Sequence, residues 1–445
     1  MVYTGETKHI FKGNRERLCD AYTKGGFIYH QGGESTTRYN TDVDVVFRQE
    51  AMFMYLTGVT EPDFHLVLDV AKKELTLLMP RLPAEYAVWM GHIDTPEEVR
   101  ERFGADRVIY VDEEAEFLAG LTGEIHSFVE YPEVKNVVFD AALKTAIVEC
   151  RVLKSEDEMI LIQSACDGTS KAFRETMKMV KAGMVEYQAD ATLNYHAYME
   201  GLRFHSFPAI TGAGPSASTL HYTANNKVIK PGQMMLIDGG FEDKCYAADI
   251  TRTFPVDGKF TERQKALYNI VLKANIECIE MIRPGLHWKD IHDHATNVIA
   301  QGLHDLGILV GDLAEAKKLY IPSIFFPHGL GHLMGLEVHD VGGFIEGVPR
   351  LTAPGEANLR LQRELTERMV VTVEPGCYFV NETINPALAD PEKSKYINEK
   401  VLREYQAEVG GIRLEDDILV TNDGHYVITT VPKTVEDVEK LIGSQ

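Results

Sequence analysis

Four acidic residues interrupt stretches that otherwise read as apolar strands. Asp238 closes the run MMLI and precedes two glycines, and Asp249 lies 11 residues later in YAADITRTF. Glu374 sits in VVTVEPG and Glu415 in GIRLEDD. A buried, unpaired carboxylate is costly, so four of them require compensating positive charge. Two strands joined by a short connection form an antiparallel hairpin, which predicts that Asp238 and Asp249 face each other across it. Carboxylates that close repel unless a cation lies between them. A fifth element, HGLGHLMGLEVHD at 328–340, offers His328, His332 and His339 among glycines that admit close backbone approach. Two Asp, two Glu and one imidazole carry four negative charges, which two divalent cations would neutralise. A donor set dominated by carboxylate oxygen favours Mn²⁺, while Co²⁺ and Zn²⁺ also suit it. Two such ions about 3.5–4 Å apart hold a bridging water as hydroxide and polarise a carbonyl, so the expected chemistry is two-metal hydrolysis.

Alternation along GIRLEDD places Arg413 and Glu415 on one face of their strand and Asp416 on the other, where a structural or surface role is expected. His292 and His294, in DIHDHA, are expected on an exposed helix face with no ligand role.

The elements that must position these residues fall into two parts. Over the first 150 residues, VDVVF (43–47), FHLVLDV (64–70), ELTLLMP (74–80), RVIYVD (107–112) and NVVFD (136–140) read as strands. PEEVRERFG (96–104) and EAEFLAGL (114–121) read as short helices between them, which predicts an α/β layered domain. A boundary near Arg151 divides the chain into 1–152 and 153–445. There Ser155 and Glu158 form a capping box, and Met159, Ile162, Cys166, Phe173, Met177 and Val180 follow as a helical core stripe. Thr261 and Gln264 cap a second long helix, and His287–Leu306 reads as a third. The polar stretch 381–408 reads as an excursion between two core strands.

The chain has 445 residues, with 67 Asp+Glu against 45 Lys+Arg and a net charge of −22. That balance excludes the concentrated basic face a nucleic-acid partner or an anionic membrane needs. No apolar run approaches the roughly 20 residues of a membrane span. The N-terminal residues lack the apolar core of a signal peptide. Six scattered cysteines with no CxxC pair point to free thiols in a reducing cytoplasm.

In order and spacing, Asp238, Asp249, His332, Glu374 and Glu415 resemble the five metal ligands of the methionine aminopeptidase/prolidase/aminopeptidase P family. HGLGHLMGLEVHD is similar to the signature of its proline-specific branch, with Met334 where an aliphatic residue is usual. FRQEAMFMYLTGVTEPDF, RLPAEYAVWMG, VHDVGG and VPKTVEDVE extend the resemblance, eukaryotic-type prolidases in particular, over nearly the whole chain. The resemblance implies a creatinase-like N-terminal α/β domain serving substrate access and dimerisation. It implies a C-terminal pita-bread catalytic domain with a dinuclear metal site. Glu374 would then also act as general base. His221 and His339 would contact the substrate carbonyl, and His328 would support the site. A cytoplasmic homodimer is expected, with Trp89 a candidate to reach a partner's site.

Substrate length needs a separate group, because a dipeptidase must grip a free carboxylate one residue beyond the scissile bond. A bidentate arginine does this well. Arg360, in NLRLQREL, matches the family's carboxylate-binding arginine, and Arg413 is the second candidate. The expected activity is hydrolysis of Xaa-Pro dipeptides. The alternatives are an Xaa-Pro aminopeptidase acting on longer peptides and a non-catalytic pita-bread binding module.

Overall fold

In the computed structural model, which describes residues 2–443, the chain divides into two compact units, Thr4–Val152 and Leu153–Gln445 with Met1–Tyr3.

The first unit is built on one mixed sheet. Its strands are β1 (Phe27–Gln31), β2 (His65–Asp69), β3 (Glu74–Met79), β4 (Arg107–Tyr110), β5 (Ile125–Ser127) and β6 (Val137–Phe139), in the spatial order β4-β3-β2-β1-β5-β6. β1, β2 and β3 run antiparallel, while β4, β5 and β6 join in parallel. Tyr29, Val67, Leu78, Ile109, Leu118 and Ile125 close one core cluster on this sheet. The helix Pro96–Phe103 begins on a Thr95/Glu98 capping box and ends at Gly104, with φ 64°.

Residues 43–47 are not a strand, contrary to the sequence reading. Val43, Val45 and Val46 are exposed, and only an isolated bridge between Thr37 and Asp44 forms there. Alternation marks a strand only when a neighbouring face exists to bury its apolar side, and here none does. The short helix Tyr86–Met90 leaves Trp89 83% exposed.

The second unit carries short sheets flanked by long helices. Its strands are β7 (Phe204–His205), β8 (Ile210–Ala213), β9 (Met234–Gly239), β10 (Phe241–Asp243), β11 (Tyr246–Ala247) and β12 (Ile250–Pro255). After three intervening α-helices come β13 (Val370–Val373), β14 (Gly376–Tyr378), β15 (Gly411–Arg413), β16 (Asp416–Val420) and β17 (His425–Val427). They form the sheets β12-β9-β8, β13-β16-β17, β14-β15 and β11-β10-β7. Thr251, on β12, bridges to Glu415 between β15 and β16, joining two of these layers.

The capped helix Glu156–Met179 buries Ile162, Cys166, Phe173 and Met177, four members of the stripe read from sequence. The Thr261/Gln264 box likewise starts the helix Glu262–Met281, and His287 caps Trp288–Asp305. The excursion between β14 and β15 holds two α-helices, Asn381–Ala389 and Glu399–Glu408. His292 departs from expectation. It is 2% exposed and lies against the Phe326 ring, so its helix turns that histidine inward. Among the described residues all six cysteines are free, and no helix is long and apolar enough to cross a membrane.

Candidate metal centre

Asp238 is the penultimate residue of β9, Asp249 immediately precedes β12, Glu374 follows β13, and Glu415 sits between β15 and β16. The four acids therefore converge from the ends of strands in different sheets. The β9–β12 register pairs Asp238 with Thr251, so Asp249 is two positions away along the ladder. The two aspartates are diagonal neighbours on one face, not directly opposed as the hairpin argument predicts. The reason is the place of the turn: β10 and β11 continue the same ladder in register to a tight turn at Lys244 and Cys245, both at positive φ, whereas direct opposition of the two acids needs a turn centred one residue earlier.

The histidine loop is laid along β13 by backbone pairing. Thr372 N–H donates to the His332 carbonyl at 3.0 Å, and Glu374 N–H donates to the Leu330 carbonyl at 2.8 Å. A Cβ at Gly331 would stand 2.0 Å from the Thr372 carbonyl oxygen, so the loop can lie this close only with glycine there. Gly335 is enclosed differently. Its Cβ would meet Asp340 Oδ2 at 2.3 Å and Lys154 Nζ at 2.9 Å. Lys154 and Asp340 form a 3.0 Å ion pair, each side chain 1% exposed, directly after His339.

All ten residues singled out from sequence line one cavity of about 710 Å³: His221, Asp238, Asp249, His328, His332, His339, Arg360, Glu374, Arg413 and Glu415. Ligand atoms of Asp249, His332 and Glu415 lie within 4.8 Å of one another. His332 Nε2 is 3.4 Å from Asp249 Oδ2 and 3.7 Å from Glu374 Oε1. His332 Nδ1–H donates to the Leu333 carbonyl, which fixes the tautomer and turns a lone pair on Nε2 toward these oxygens. Burial holds the imidazole well below its usual pKa, and the nearby His339 charge acts in the same direction.

The electrostatics of this cluster fit a cation. Burial, then mutual repulsion with Asp238, holds the Asp249 carboxyl well above the usual range, and burial with Asp249 nearby does the same to Glu415. Burial pushes Glu374 up to about 7 against the pull of the Arg413 charge. Asp238 Oδ1 is buried and has no hydrogen-bond partner among the described residues. Lone pairs aimed at one another across 3–4 Å, with an orphaned oxygen beside them, form a donor set of carboxylates and one imidazole suited to divalent ions.

Arg413 is committed to the protein. Its Nη2 donates to Asp238 Oδ2 at 2.5 Å, Nη1 to the Tyr378 hydroxyl at 3.0 Å, and Nε to Thr251 Oγ1 at 3.2 Å. Tyr378 passes the chain on to His328 Nε2 at 2.8 Å, and His328 Nδ1–H donates to the Gly329 carbonyl. Both ring nitrogens of His328 are thus engaged in scaffolding. His339 meets His332 edge to face, ring centroids 4.4 Å apart, and burial pushes its pKa down to about 4. Neither Arg360 nor Arg350, a further lining residue, pairs with a carboxylate among the described residues.

Asp416 points away from the cavity and accepts from Arg252 at 2.6 Å and Lys433 at 2.7 Å, as the alternation of its strand requires. Sequence reasoning missed Tyr378, Asp417 and Thr251. Asp417 shares the parity of Arg413 and Glu415, and its Oδ2 accepts the Asp249 N–H at 3.1 Å. Tyr378 shares the parity of Glu374. Extending the alternation two residues past Glu415 finds Asp417, while Tyr378 lies four residues past Glu374 on the next strand, β14, where parity alone does not single it out.

Residues 160–422 match the profile of Metallopeptidase family M24, and residues 11–128 that of the Aminopeptidase P, N-terminal domain. The chain is 39% identical to the Xaa-Pro dipeptidase of Homo sapiens, over 97% of this chain and 92% of the relative. It is 37% identical to a probable Xaa-Pro aminopeptidase of Verticillium alfalfae, over 98% of each. Among solved structures, the Pseudomonas aeruginosa aminopeptidase PepP matches with a TM-score of 0.85 and 29% identity, over 100% of this chain and 99% of that one. Zinc-substituted Escherichia coli aminopeptidase P in complex with product matches with a TM-score of 0.84 and 29% identity, over 99% of each.

Proposed function

The chain belongs to metallopeptidase family M24, and from that premise we propose that it hydrolyses Xaa-Pro dipeptides at a dinuclear centre, with Mn²⁺ as the preferred ion. It is a hydrolase with an α/β N-terminal part and a pita-bread C-terminal part, the architecture of its structural neighbours. The observation that carries the reading is the convergence of Asp238, Asp249, His332, Glu374 and Glu415 on one buried cluster with Asp238 Oδ1 orphaned. Two divalent ions held by these five side chains would activate water and polarise the scissile carbonyl.

The remaining chemistry falls to the chain's own groups. Glu374, which burial holds near neutrality, takes a proton from the attacking water and returns it to the leaving nitrogen of proline. His339 and His221 present ring N–H groups to the carbonyl oxygen as it becomes an oxyanion. An Xaa-Pro bond has no N–H of its own, and neither histidine requires one. Arg360 grips the C-terminal carboxylate, since Arg413 spends its donors on Asp238, Tyr378 and Thr251. The dimer expected from the family resemblance belongs to the same proposal.

The second reading, an Xaa-Pro aminopeptidase, is favoured by the fungal relatives of that name. Hydrolysis of Ala-Pro against Ala-Pro-Ala, with the purified Mn²⁺-loaded protein, separates the two. The dipeptide is expected to be cleaved faster, and a faster tripeptide would reverse the assignment. Arg360→Ala should raise KM for Ala-Pro about tenfold or more, the worth of a charge-assisted hydrogen bond. An unchanged KM would remove Arg360 from carboxylate binding.

A further inference from the structure

A second arginine shares the cavity with Arg360. Arg350 lines the same space from the segment between Gly343 and Leu359, and both arginine side chains are exposed. Its guanidinium lies over the Phe344 ring, 4.0 Å from the centroid, and one Nη donates to the Leu359 carbonyl at 3.2 Å. The segment is tied at its base to the backbone that carries Arg360. Gln362 N–H donates to the Gly343 carbonyl at 2.8 Å, and a Cβ at Gly343 would stand 2.0 Å from the Arg360 carbonyl oxygen. The two arginines are therefore held by one local structure, with Leu359 between them.

Neither guanidinium has a carboxylate partner among the described residues, although acids outnumber bases 67 to 45 in this chain. A pair of cations lining an acid-rich cavity without internal anionic partners is suited to bind anions from outside. Their depths differ. Arg360 is rooted between Leu359 and Leu361, both fully buried, while Arg350 ends the exposed stretch 344–350. Arg350 sits at the rim. Extending a peptide by one residue moves its terminal carboxylate outward by at most about 3.6 Å, so a longer substrate needs its anion site farther from the reacting centre.

We infer that Arg350 is a specificity-determining residue that takes the C-terminal carboxylate of Xaa-Pro-Yaa tripeptides, while Arg360 takes that of Xaa-Pro dipeptides. This rests on the proposed Xaa-Pro hydrolase activity and extends it to a second length of substrate. Stacking on Phe344 and the bond to Leu359 hold the Arg350 side chain in place before substrate arrives, so less ordering entropy opposes binding. An Xaa-Pro-Yaa amide, which lacks the terminal charge, gains nothing from it.

The test uses the full-length Mn²⁺-loaded protein with Ala-Pro, Ala-Pro-Ala and Ala-Pro-Ala-amide, comparing kcat/KM for wild type, Arg350→Ala and Arg350→Lys. Arg350→Ala is expected to lower the ratio of Ala-Pro-Ala to Ala-Pro about tenfold or more, through KM with kcat held. Arg350→Lys should restore part of that ratio, and the amide should respond to neither substitution. Three results would overturn the assignment. They are an unchanged tripeptide/dipeptide ratio in Arg350→Ala, an equal loss on the amide, and a wild-type protein that cleaves Ala-Pro but leaves Ala-Pro-Ala intact. Each of these leaves the dipeptidase reading standing. A wild-type protein that cleaves no Xaa-Pro bond defeats the underlying activity, and this assignment with it.

Discussion

Glu374 is held between opposing influences: burial and the Asp238 charge push its carboxyl up, while Arg413 and Arg360 pull it down, and it settles at about 7. That balance is struck without cations; bound ions pull it lower and favour the carboxylate, the form that accepts a proton from water. Glu374→Gln keeps the volume but removes the exchangeable proton and one anionic donor. It should lower kcat on Ala-Pro by about 10²–10⁴-fold, measured by steady-state kinetics with metal content determined alongside. A variant with full metal content and wild-type kcat would exclude Glu374 as the base. At this scale the sequence was informative because acids inside β-branched runs are anomalous and invite a search for charge. His292 shows the opposite case. Its helix pattern looked polar, yet the ring is buried against Phe326, and only the neighbouring segment decides that.

Among the elements, the histidine loop depends on a contact far away in sequence. Lys154, two residues ahead of the long capped helix, enters the second unit's interior to pair with Asp340 beneath the loop. The pair occupies the space that any side chain at Gly335 would need. Removing one member of a buried pair leaves the other charge uncompensated, so Lys154→Met should cost about 3–5 kcal/mol of stability. Urea denaturation would measure it, and a loss below about 1 kcal/mol would show that the pair is dispensable. Local signals such as capping boxes and helical stripes were legible, since each depends on residues three or four apart. The β9–β12 register was not, because it depends on which two residues make the tight turn, here Lys244 and Cys245, and neither is a usual turn residue for positive φ. The isolated run at 43–47 failed for a related reason, having the alternation of a strand and no face to pack upon.

For the whole molecule, a net charge of −22 reads first as surface, and the site holds only a small share of it. That share has a disproportionate effect on stability. Without cations the buried carboxyls of Asp249, Glu374 and Glu415 keep protons that the unfolded chain releases near pH 4. The folded state then binds more protons than the unfolded one, so the metal-free protein loses stability as pH rises from about 4 through about 7. Removing metal with EDTA should therefore lower Tm more at pH 8 than at pH 5, read by calorimetry. Equal losses at both pH values would argue against cations at these acids. The ten cavity residues come from segments spread between 221 and 415, and sequence brought them together only through their chemistry and a family likeness. The tight packing beneath the histidine loop has one more outcome. With Gly331 pressed on Thr372 and Gly335 on Lys154 and Asp340, the floor of the cavity has no room for novelty. Evolutionary change in what the site accepts must be written on its rim, in the stretch from Phe344 to Asn358, where lengths and charges can drift while the chemistry below is inherited intact.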